Sequence, residues 1–137
     1  MTGVQTCALP ICKGVAPAEF GPEISDYARL TLPAVERIGE NSLRGVVLKV
    51  DKFGNMITNI SEQEAPVLFA NTPLAVSILV AGQTITHVCR SYAEGGEDEF
   101  FAIVGSSGYL EIAAKQASAA EKLASGVGTP VGVVLGA

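Results

Sequence analysis

From residue 44 onward, the chain repeats short apolar and β-branched runs that are separated by turn-forming residues. Short strands at close spacing are typical of small all-β domains. A chain of 137 residues is long enough for one such domain with its own core. We therefore expect a mostly β fold, a small antiparallel barrel or sandwich. The predicted strands are residues 44–51, 56–60, 73–80, 83–90, 99–104, 109–114 and 130–135.

Turn and helix signals add detail to this fold. Ala81 and Gly82 separate two of the strand-like runs and predict a β-hairpin. Residues 116–124 are strong helix formers with Gly126 close behind, so one short helix is expected near the C-terminus. A further helix in residues 61–70, capped by Ser61, would be limited by Pro66 to about one turn.

Residues 13–43 have a different texture from the rest of the chain. They are rich in proline, glycine and charge and show no sustained period. Pro17, Pro22 and Pro33 argue against one long helix or a central strand. We expect a linker or the tail of a preceding domain here, followed by the β domain in residues 44–137.

Residues 1–12 read MTGVQTCALPIC and match the conceptual translation of a common sequencing-library adapter. A signal peptide is the competing interpretation, but no basic residue precedes the apolar stretch, which is itself interrupted by polar residues and Pro10. We expect an artefact and hence a longer natural protein. Cys89 would then be the single cysteine, in keeping with a reducing cytoplasm.

Composition and charge exclude several classes of function. A net charge of −5 offers no basic surface for phosphate backbones, so nucleic acid is not an expected partner. No apolar run is long enough for a membrane helix, and no membrane partner is expected. His87 and Cys89 are too few for a zinc site, so no metal is expected. His87 is interpreted as a strand residue near the surface and Cys89 as a small buried hydrophobe.

Two segments contain unusual groupings of polar residues. Residues 50–60 read VDKFGNMITNI and place a carboxylate, an aromatic ring, a glycine and an amide within a few positions. By itself this grouping also suits an ordinary β-turn. Residues 105–113 read GSSGYLEIA, which suits either a hairpin turn or a small anion-binding concavity of amides and hydroxyls.

The residues of the two segments, and their order along the chain, resemble those of the C-terminal domain of the S-adenosylmethionine (SAM) hydroxide adenosyltransferases. That superfamily includes the SAM-dependent halogenases. The resemblance covers residues 44–137 almost end to end. The residues that carry it are Gly45, Val47, Val50, Asp51, Phe53, Gly54, Asn55, residues 57–60, residues 106–113 and residues 117–120.

The resemblance implies a two-domain enzyme that forms homotrimers, with active sites between the N-terminal domain of one subunit and the C-terminal domain of its neighbour. Asp51 matches the carboxylate that pairs with the methionine ammonium. Ser106 matches a contact to the methionine carboxylate. The adenine contacts implied are the amide of Asn55, the ring walls of Phe53 and Tyr92, and the backbone near Gln116.

The implied reaction converts SAM and hydroxide or water into adenosine and L-methionine. No cofactor is expected, because SAM would be the substrate, and no general acid is needed because the sulfonium is already a good leaving group. The family's catalytic residues match no position here, so this chain alone is expected to be inactive and to supply the methionine and adenine half of the site.

Two departures bear on which nucleophile is used. Ser107 stands at the position where the corresponding segment of fluorinating members contains an arginine. This difference favours the hydrolytic branch. Gly105 stands where the family often has asparagine. Two alternatives stay open: the C-terminal domain of a halogenase, or an inactive β-barrel module for binding or oligomerisation.

Overall fold

The chain consists of two compact units, Met1–Thr31 and Leu32–Ala137. The computed structural model describes residues 10–29, 31–70, 75–95 and 99–136. In the first unit a 3-10 turn, Pro17–Phe20, begins with a proline, which needs no backbone donor there. Most of the predicted artefact, residues 1–9, lies outside the described residues, and its origin stays a prediction.

The second unit is built from strands. The strands are β1 (Glu36–Gly39), β2 (Ser42–Val50), β3 (Met56–Ser61), β4 (Val76–Val80), β5 (Gln83–Ile85), β6 (Val88–Cys89), β7 (Phe100–Val104), β8 (Tyr109–Ala114) and β9 (Pro130–Leu135). Their order in the sheet is β5-β4-β9-β2-β3-β8-β7-β6, with β1 beside β2, and every pair is antiparallel except β6 with β7. The mostly β, antiparallel fold is thereby confirmed.

Strand β2 joins the two halves of the barrel. Its first half pairs with β9 and its second half with β3, and a register shift lies between the pairs that Val47 and Lys49 make with β3. Contacts between β5 and β7 nearly close the barrel. The core contains fully buried side chains from opposite halves, including Leu43, Ile78 and Leu110. Each contributes about 1.5–3 kcal/mol through removal of apolar surface from water.

The hairpin predicted at Ala81 and Gly82 is confirmed between β4 and β5. Both residues have positive φ, 48° and 79°, as a two-residue type I′ turn requires. The predicted strand 83–90 is not continuous, however. It breaks after Ile85, where the His87 carbonyl accepts a bond from Ala102 N–H at 2.9 Å, and β6 resumes parallel to β7. Residues 73–74 of the other predicted strand lie outside the described residues.

Two short α-helices lie among the described residues of the second unit, α1 (Pro66–Phe69) and α2 (Ala119–Lys122), and residues 10–12 of the first unit are also helical. Pro66 begins α1 instead of limiting it, because a proline at the first helical position loses no hydrogen bond. The predicted helix 116–124 was too long. Gln116 and Ala124 have positive φ, 49° and 46°, which is incompatible with a right-handed helix. Ser118 caps α2 by accepting the Glu121 N–H at 3.1 Å.

Ordered structure extends into the predicted linker. β1 and the first residues of β2 precede residue 44, and Leu43 is 1% exposed. Asn59 also anchors this region, because its side-chain amide donates to the Pro33 carbonyl at 2.8 Å. Every residue of β1 is exposed, so the sequence contains no burial pattern that predicts this strand.

No helix in the described ranges is long and apolar enough to cross a membrane. Within the same ranges, no group of three or more His, Cys, Asp or Glu side chains is placed to hold a metal ion. Cys89 is buried against Phe101 and Ala113, which confirms its interpretation as a small hydrophobe. His87 lies between β5 and β6, partly buried, and so is not the strand residue that was predicted.

Candidate functional site

The turn that connects β2 to β3, residues 51–55, is organised by Asp51. One oxygen of its carboxylate accepts the backbone N–H groups of Phe53 at 2.8 Å and Asn55 at 3.0 Å. Its backbone carbonyl accepts the Gly54 N–H at 3.1 Å. An aspartate that bonds backbone groups just after itself is a common way to stabilise a turn, and this one also fixes the direction of its own carboxylate.

Gly54 allows the helical end of the chain to pack onto this turn. Its φ is 85°, and a Cβ there would overlap the side chain of Ser118 and approach the Ser118 Cα at 2.7 Å. The Gly54 carbonyl accepts the N–H of Ala120 at 3.0 Å. Because only glycine permits both the backbone conformation and this approach, residues 114–118 lie beside Asp51.

A chain of side-chain hydrogen bonds extends from Asp51 to Glu111. The Asn55 amide nitrogen donates to Asp51 at 3.1 Å and to the Tyr92 hydroxyl at 3.1 Å. The Tyr92 hydroxyl lies 3.3 Å from a carboxylate oxygen of Glu111, to which it donates. The Tyr92 ring also meets Phe101 edge to face, with ring centroids 6.3 Å apart. Asn55 is therefore held by partners on two sides.

These residues surround a surface pocket of about 590 Å³. The residues Phe53 and Tyr92 are 66% and 55% exposed, whereas Asn55 is 5% exposed. Five of the predicted site residues are thus brought together, and three segments far apart in sequence form the pocket. Its lining residues are Asp51, Phe53, Asn55, Tyr92, Ala114, Gln116, Ala117 and Ser118.

The pocket is negatively charged. Burial raises the pKa of Asp51, but N–H donors from Asn55, Phe53 and Gly54 outweigh burial and hold that pKa below its ordinary value of 3.8. Asp51 is therefore ionised at neutral pH. It is also the sole charged side chain among the described residues that line the pocket. A carboxylate beside two exposed aromatic rings suits a ligand that carries both a cation and a flat ring.

Two further ionisable groups lie behind the pocket wall. Burial raises the pKa of Glu111 above its ordinary value of 4.5, and the charge of Asp51 adds to this, while the hydroxyls of Tyr92 and Ser107 oppose it. Burial also raises the pKa of Tyr92, followed by the effect of Glu111. Tyr92 therefore keeps its proton at neutral pH and acts as a donor to Glu111.

Ser106 and Ser107, which were also predicted to contact the substrate, do not line this pocket. Both are exposed in the turn before β8, whereas the pocket lies at the other end of that strand, at Ala114. The intervening residues of β8 separate the two ends by roughly 3.3 Å each. Ser107 instead lines a neighbouring cavity of about 510 Å³ together with Pro33, Asn59 and others.

Glu111 and Ser118 were not predicted as site residues. Glu111 is 8% exposed in a strand whose neighbours Leu110 and Ile112 belong to the core, so it faces the outer side of the barrel. A charged residue inside an apolar run is a usable signal, but the run does not reveal its partner. Ser118 carries the ordinary signal of a helix N-cap, at a different position from the predicted helix start.

Comparison with known proteins gives one family and consistent relatives. The family described as the SAM hydroxide adenosyltransferase C-terminal domain matches residues 45–132. A protein of Thermus thermophilus named (R)-S-adenosyl-L-methionine hydrolase is 32% identical over 126 residues, covering 90% of this chain and 44% of that protein.

Two solved structures have the same fold. An uncharacterized conserved protein from Thermotoga maritima superimposes with a TM-score of 0.68 at 23% identity, over 89% of this chain and 46% of that one. A conserved hypothetical protein from Thermus thermophilus gives a TM-score of 0.61 at 32% identity, over 93% and 49%. This chain spans less than half the length of each of these relatives.

Proposed function

Since this chain belongs to the SAM hydroxide adenosyltransferase family, matching its C-terminal domain, we propose that its pocket binds SAM for hydrolysis to adenosine and L-methionine. The observation that carries the proposal is the assembly of Asp51, Phe53, Asn55, Tyr92 and Gln116 around one pocket. The similar protein named (R)-S-adenosyl-L-methionine hydrolase supports the choice of substrate.

Asp51 recognises the methionine part of the substrate. The amino group of SAM is a cation, and the ionised carboxylate of Asp51 is already oriented by three N–H groups of its own turn. A carboxylate has about four acceptor positions, so it can accept these bonds and an ammonium as well. Ser106 remains a predicted contact to the methionine carboxylate, and it requires the substrate to extend beyond the pocket along β8.

The adenine ring is bound by Asn55 and by the two aromatic walls. The exposed rings of Phe53 and Tyr92 offer flat surfaces for stacking. Both donors of the Asn55 amide group are engaged by Asp51 and Tyr92, so Asn55 offers adenine its carbonyl oxygen. That oxygen suits the 6-amino group, and the backbone near Gln116 completes the polar edge.

The reaction makes few demands on this part of the protein. Water or hydroxide attacks C5′ of the ribose in line, the C5′–O bond forms, and the C5′–S bond breaks with its electron pair passing to sulfur. Methionine leaves as a neutral thioether, and one proton is released when water is the nucleophile. Asp51 is a poor base because its pKa is lowered. The contribution of this chain is binding and orientation.

The rest of the active site comes from another part of a longer protein in this proposal. A pocket that leaves two aromatic rings more than half exposed holds a nucleoside weakly until a second surface covers it. We assign that surface, the activation of the nucleophile and the ribose contacts to a second domain from a neighbouring subunit of a homotrimer. Ser107 stands at the position where the corresponding segment of fluorinating members contains an arginine, and this supports water over halide as the nucleophile.

Titration of the isotope-labelled chain with SAM, followed by NMR, tests the assignment of the pocket. We expect the largest shifts at Gly54, Gln116 and the side-chain amide of Asn55, and weaker binding of adenosine, which lacks the ammonium. Shifts centred on the cavity around Pro33 and Ser107, or no shifts at millimolar SAM, would contradict the assignment and favour a module without ligand.

A turnover assay tests the division of the active site. Incubation of this chain with SAM should give no sustained formation of adenosine and methionine by chromatography, because Asp51 is the sole ionisable group besides Tyr92 among the described residues of the pocket. Sustained adenosine formation by the chain alone would contradict the divided site while leaving the choice of substrate intact.

A further inference from the structure

Glu111 lies at the end of the hydrogen-bond chain behind the pocket, and it is not itself a lining residue. The chain contains three bonds: Asn55 to Asp51, Asn55 to Tyr92, and Tyr92 to Glu111. Both ends are carboxyl groups, and an ionised carboxylate accepts hydrogen bonds without donating any. The three protons available from Asn55 and Tyr92 therefore fill the three bonds, and each bond is donated in the direction that leads from Asn55 toward one of the two carboxyl groups.

This direction determines what Asn55 presents to a ligand. An amide that reversed its side chain would place its carbonyl oxygen toward the Asp51 carboxylate, a repulsive contact. It would also need Tyr92 to donate to Asn55, which Tyr92 cannot do while its proton is directed to Glu111. Removal of the Glu111 acceptor frees the Tyr92 proton, so the reversed amide becomes less unfavourable, although it is still repelled by Asp51.

We propose that Glu111 is a positioning residue that makes the pocket prefer a purine with an amino group at C6 over one with a carbonyl group there. The inference rests on the proposed function, since it concerns recognition of the adenine part of the substrate. Through Tyr92, Glu111 commits the carbonyl oxygen of Asn55 to the pocket. That oxygen attracts an amino group and repels a carbonyl oxygen.

Gly105 makes this arrangement possible. A Cβ at Gly105 would overlap the carboxylate of Glu111, whose side chain fills the space that a larger residue would take. The side chain of Ser107, in the same turn, also interacts with that carboxyl group and favours its ionised form. The missing side chain at Gly105 thus leaves the space that the Glu111 carboxylate occupies. Through Glu111, the 105–108 turn is connected to the pocket.

The test compares adenosine with inosine, which differ at C6, by NMR titration of this chain and its variants. Wild type should prefer adenosine, and Glu111→Leu should lower the ratio of the two affinities on the order of fivefold, the worth of one hydrogen bond. Glu111→Gln keeps an acceptor oxygen for Tyr92 and should retain most of the preference. A purely structural role for Glu111 would weaken both nucleosides alike and leave their ratio unchanged.

Gly105→Ala gives an independent arm, because it displaces the Glu111 carboxylate while leaving the residue in place. The clash is with the end of a flexible side chain, so the protein should fold and the adenosine preference should fall. Gly126→Ala, where a Cβ meets nothing within 4 Å, is the matched control and should change nothing. Glu99→Gln, in an exposed ion pair with Lys122, is the control for Glu111→Gln.

Two results overturn the inference in different ways. An unchanged preference in Glu111→Leu, or equal losses in the leucine and glutamine variants, overturns the role of the Glu111 acceptor and leaves the proposed function standing. Failure of wild type to bind either nucleoside overturns both, because the pocket then does not recognise adenine at all.

Discussion

The two glycine-containing turns of the barrel are built from similar residues, but other parts of the chain pack against only one of them. In residues 51–55, Gly54 and Asn55 are buried and the beginning of α2 packs on Gly54, whereas Ser106, Ser107 and Gly108 are exposed. Both turns contain a glycine at positive φ, 85° at Gly54 and 78° at Gly108. A turn of this kind becomes part of a pocket when distant segments pack on it, and its own sequence does not specify those segments.

The largest expected effect is a difference in the free energy of unfolding between alanine variants of Gly54 and Gly108. Gly54→Ala combines a strained backbone with overlap onto Ser118, so it should lower the free energy of unfolding by about 4 kcal/mol. Gly108→Ala has the same backbone strain, but its Cβ meets nothing within 4 Å, and it should lower that free energy by about 1–2 kcal/mol. Urea denaturation of both variants measures the difference. Equal losses would mean that the packing of α2 on the 51–55 turn contributes nothing.

The second prediction concerns ligand binding by the two turns. Asp51→Asn removes the charge that faces the ammonium of SAM and should weaken SAM binding by about 2 kcal/mol or more, nearly thirtyfold in Kd. Ser106→Ala, in the exposed turn, should weaken it by less than about 1 kcal/mol. NMR titration with SAM provides both affinities.

Asp26→Asn is the matched control for Asp51→Asn, since it makes the same change in the other unit of the chain. It should leave SAM binding unaltered. If Asp51→Asn folds normally and binds SAM as wild type does, Asp51 merely shapes its turn and the central assignment of the pocket is wrong.

The third prediction concerns Asn55, which serves both the turn and the ligand. Asn55→Ala leaves Asp51 and Tyr92 without the donor that joins them, so the free energy of unfolding should fall by about 1–3 kcal/mol. Adenosine binding should weaken by a similar amount. Denaturation and titration of one sample separate the two effects, and loss of stability with full affinity would exclude Asn55 from adenine recognition.

The sequence predicted those parts of the fold in which neighbouring residues alone determine the backbone conformation. The hairpin at Ala81 and Gly82 follows from a two-residue turn between β-branched runs, and it needs no information about distant residues. β1 was missed because all of its residues are exposed and its pairing with β2 is tertiary. The helix after Gln116 was overextended because packing on Gly54, rather than helix propensity, sets where α2 begins.

The candidate site was predicted from resemblance to a family, residue by residue, and the structure gathers the positions near Asp51 into one pocket. Glu111 was missed for a physical reason. Its partner Tyr92 lies 19 residues earlier, and the space for its carboxylate depends on the missing side chain of Gly105. Contacts between two loops and the outer face of a strand follow from the way the barrel folds, and no local pattern encodes them.

The smallest expected effect concerns how Asp51 and Glu111 contribute to the free energy of unfolding as pH changes. The two contributions should depend on pH with opposite signs. The pKa of Asp51 is lowered by the N–H donors of its turn, which outweigh its burial, so the ionised form stabilises the folded state. That stabilisation is present above the unfolded pKa near 3.8 and is lost as pH falls through the lower folded value. The pKa of Glu111 is raised, mainly by burial, so its protonated form is favoured on folding. That contribution is complete below about 4.5 and is lost as pH rises through the folded value.

Denaturation of wild type, Asp51→Asn and Glu111→Gln across pH 3–7 measures the two contributions separately. Relative to Asp51→Asn, wild type should lose stability as the solution becomes more acidic than about pH 3.8. Relative to Glu111→Gln, it should instead lose stability as pH rises above about 4.5, because the buried carboxyl must then ionise beside Asp51. A flat difference curve for Glu111→Gln would show that Glu111 ionises in the folded state as readily as in water, and a curve of the same sign as that of Asp51→Asn would show that it ionises more readily; either result would contradict the raised pKa.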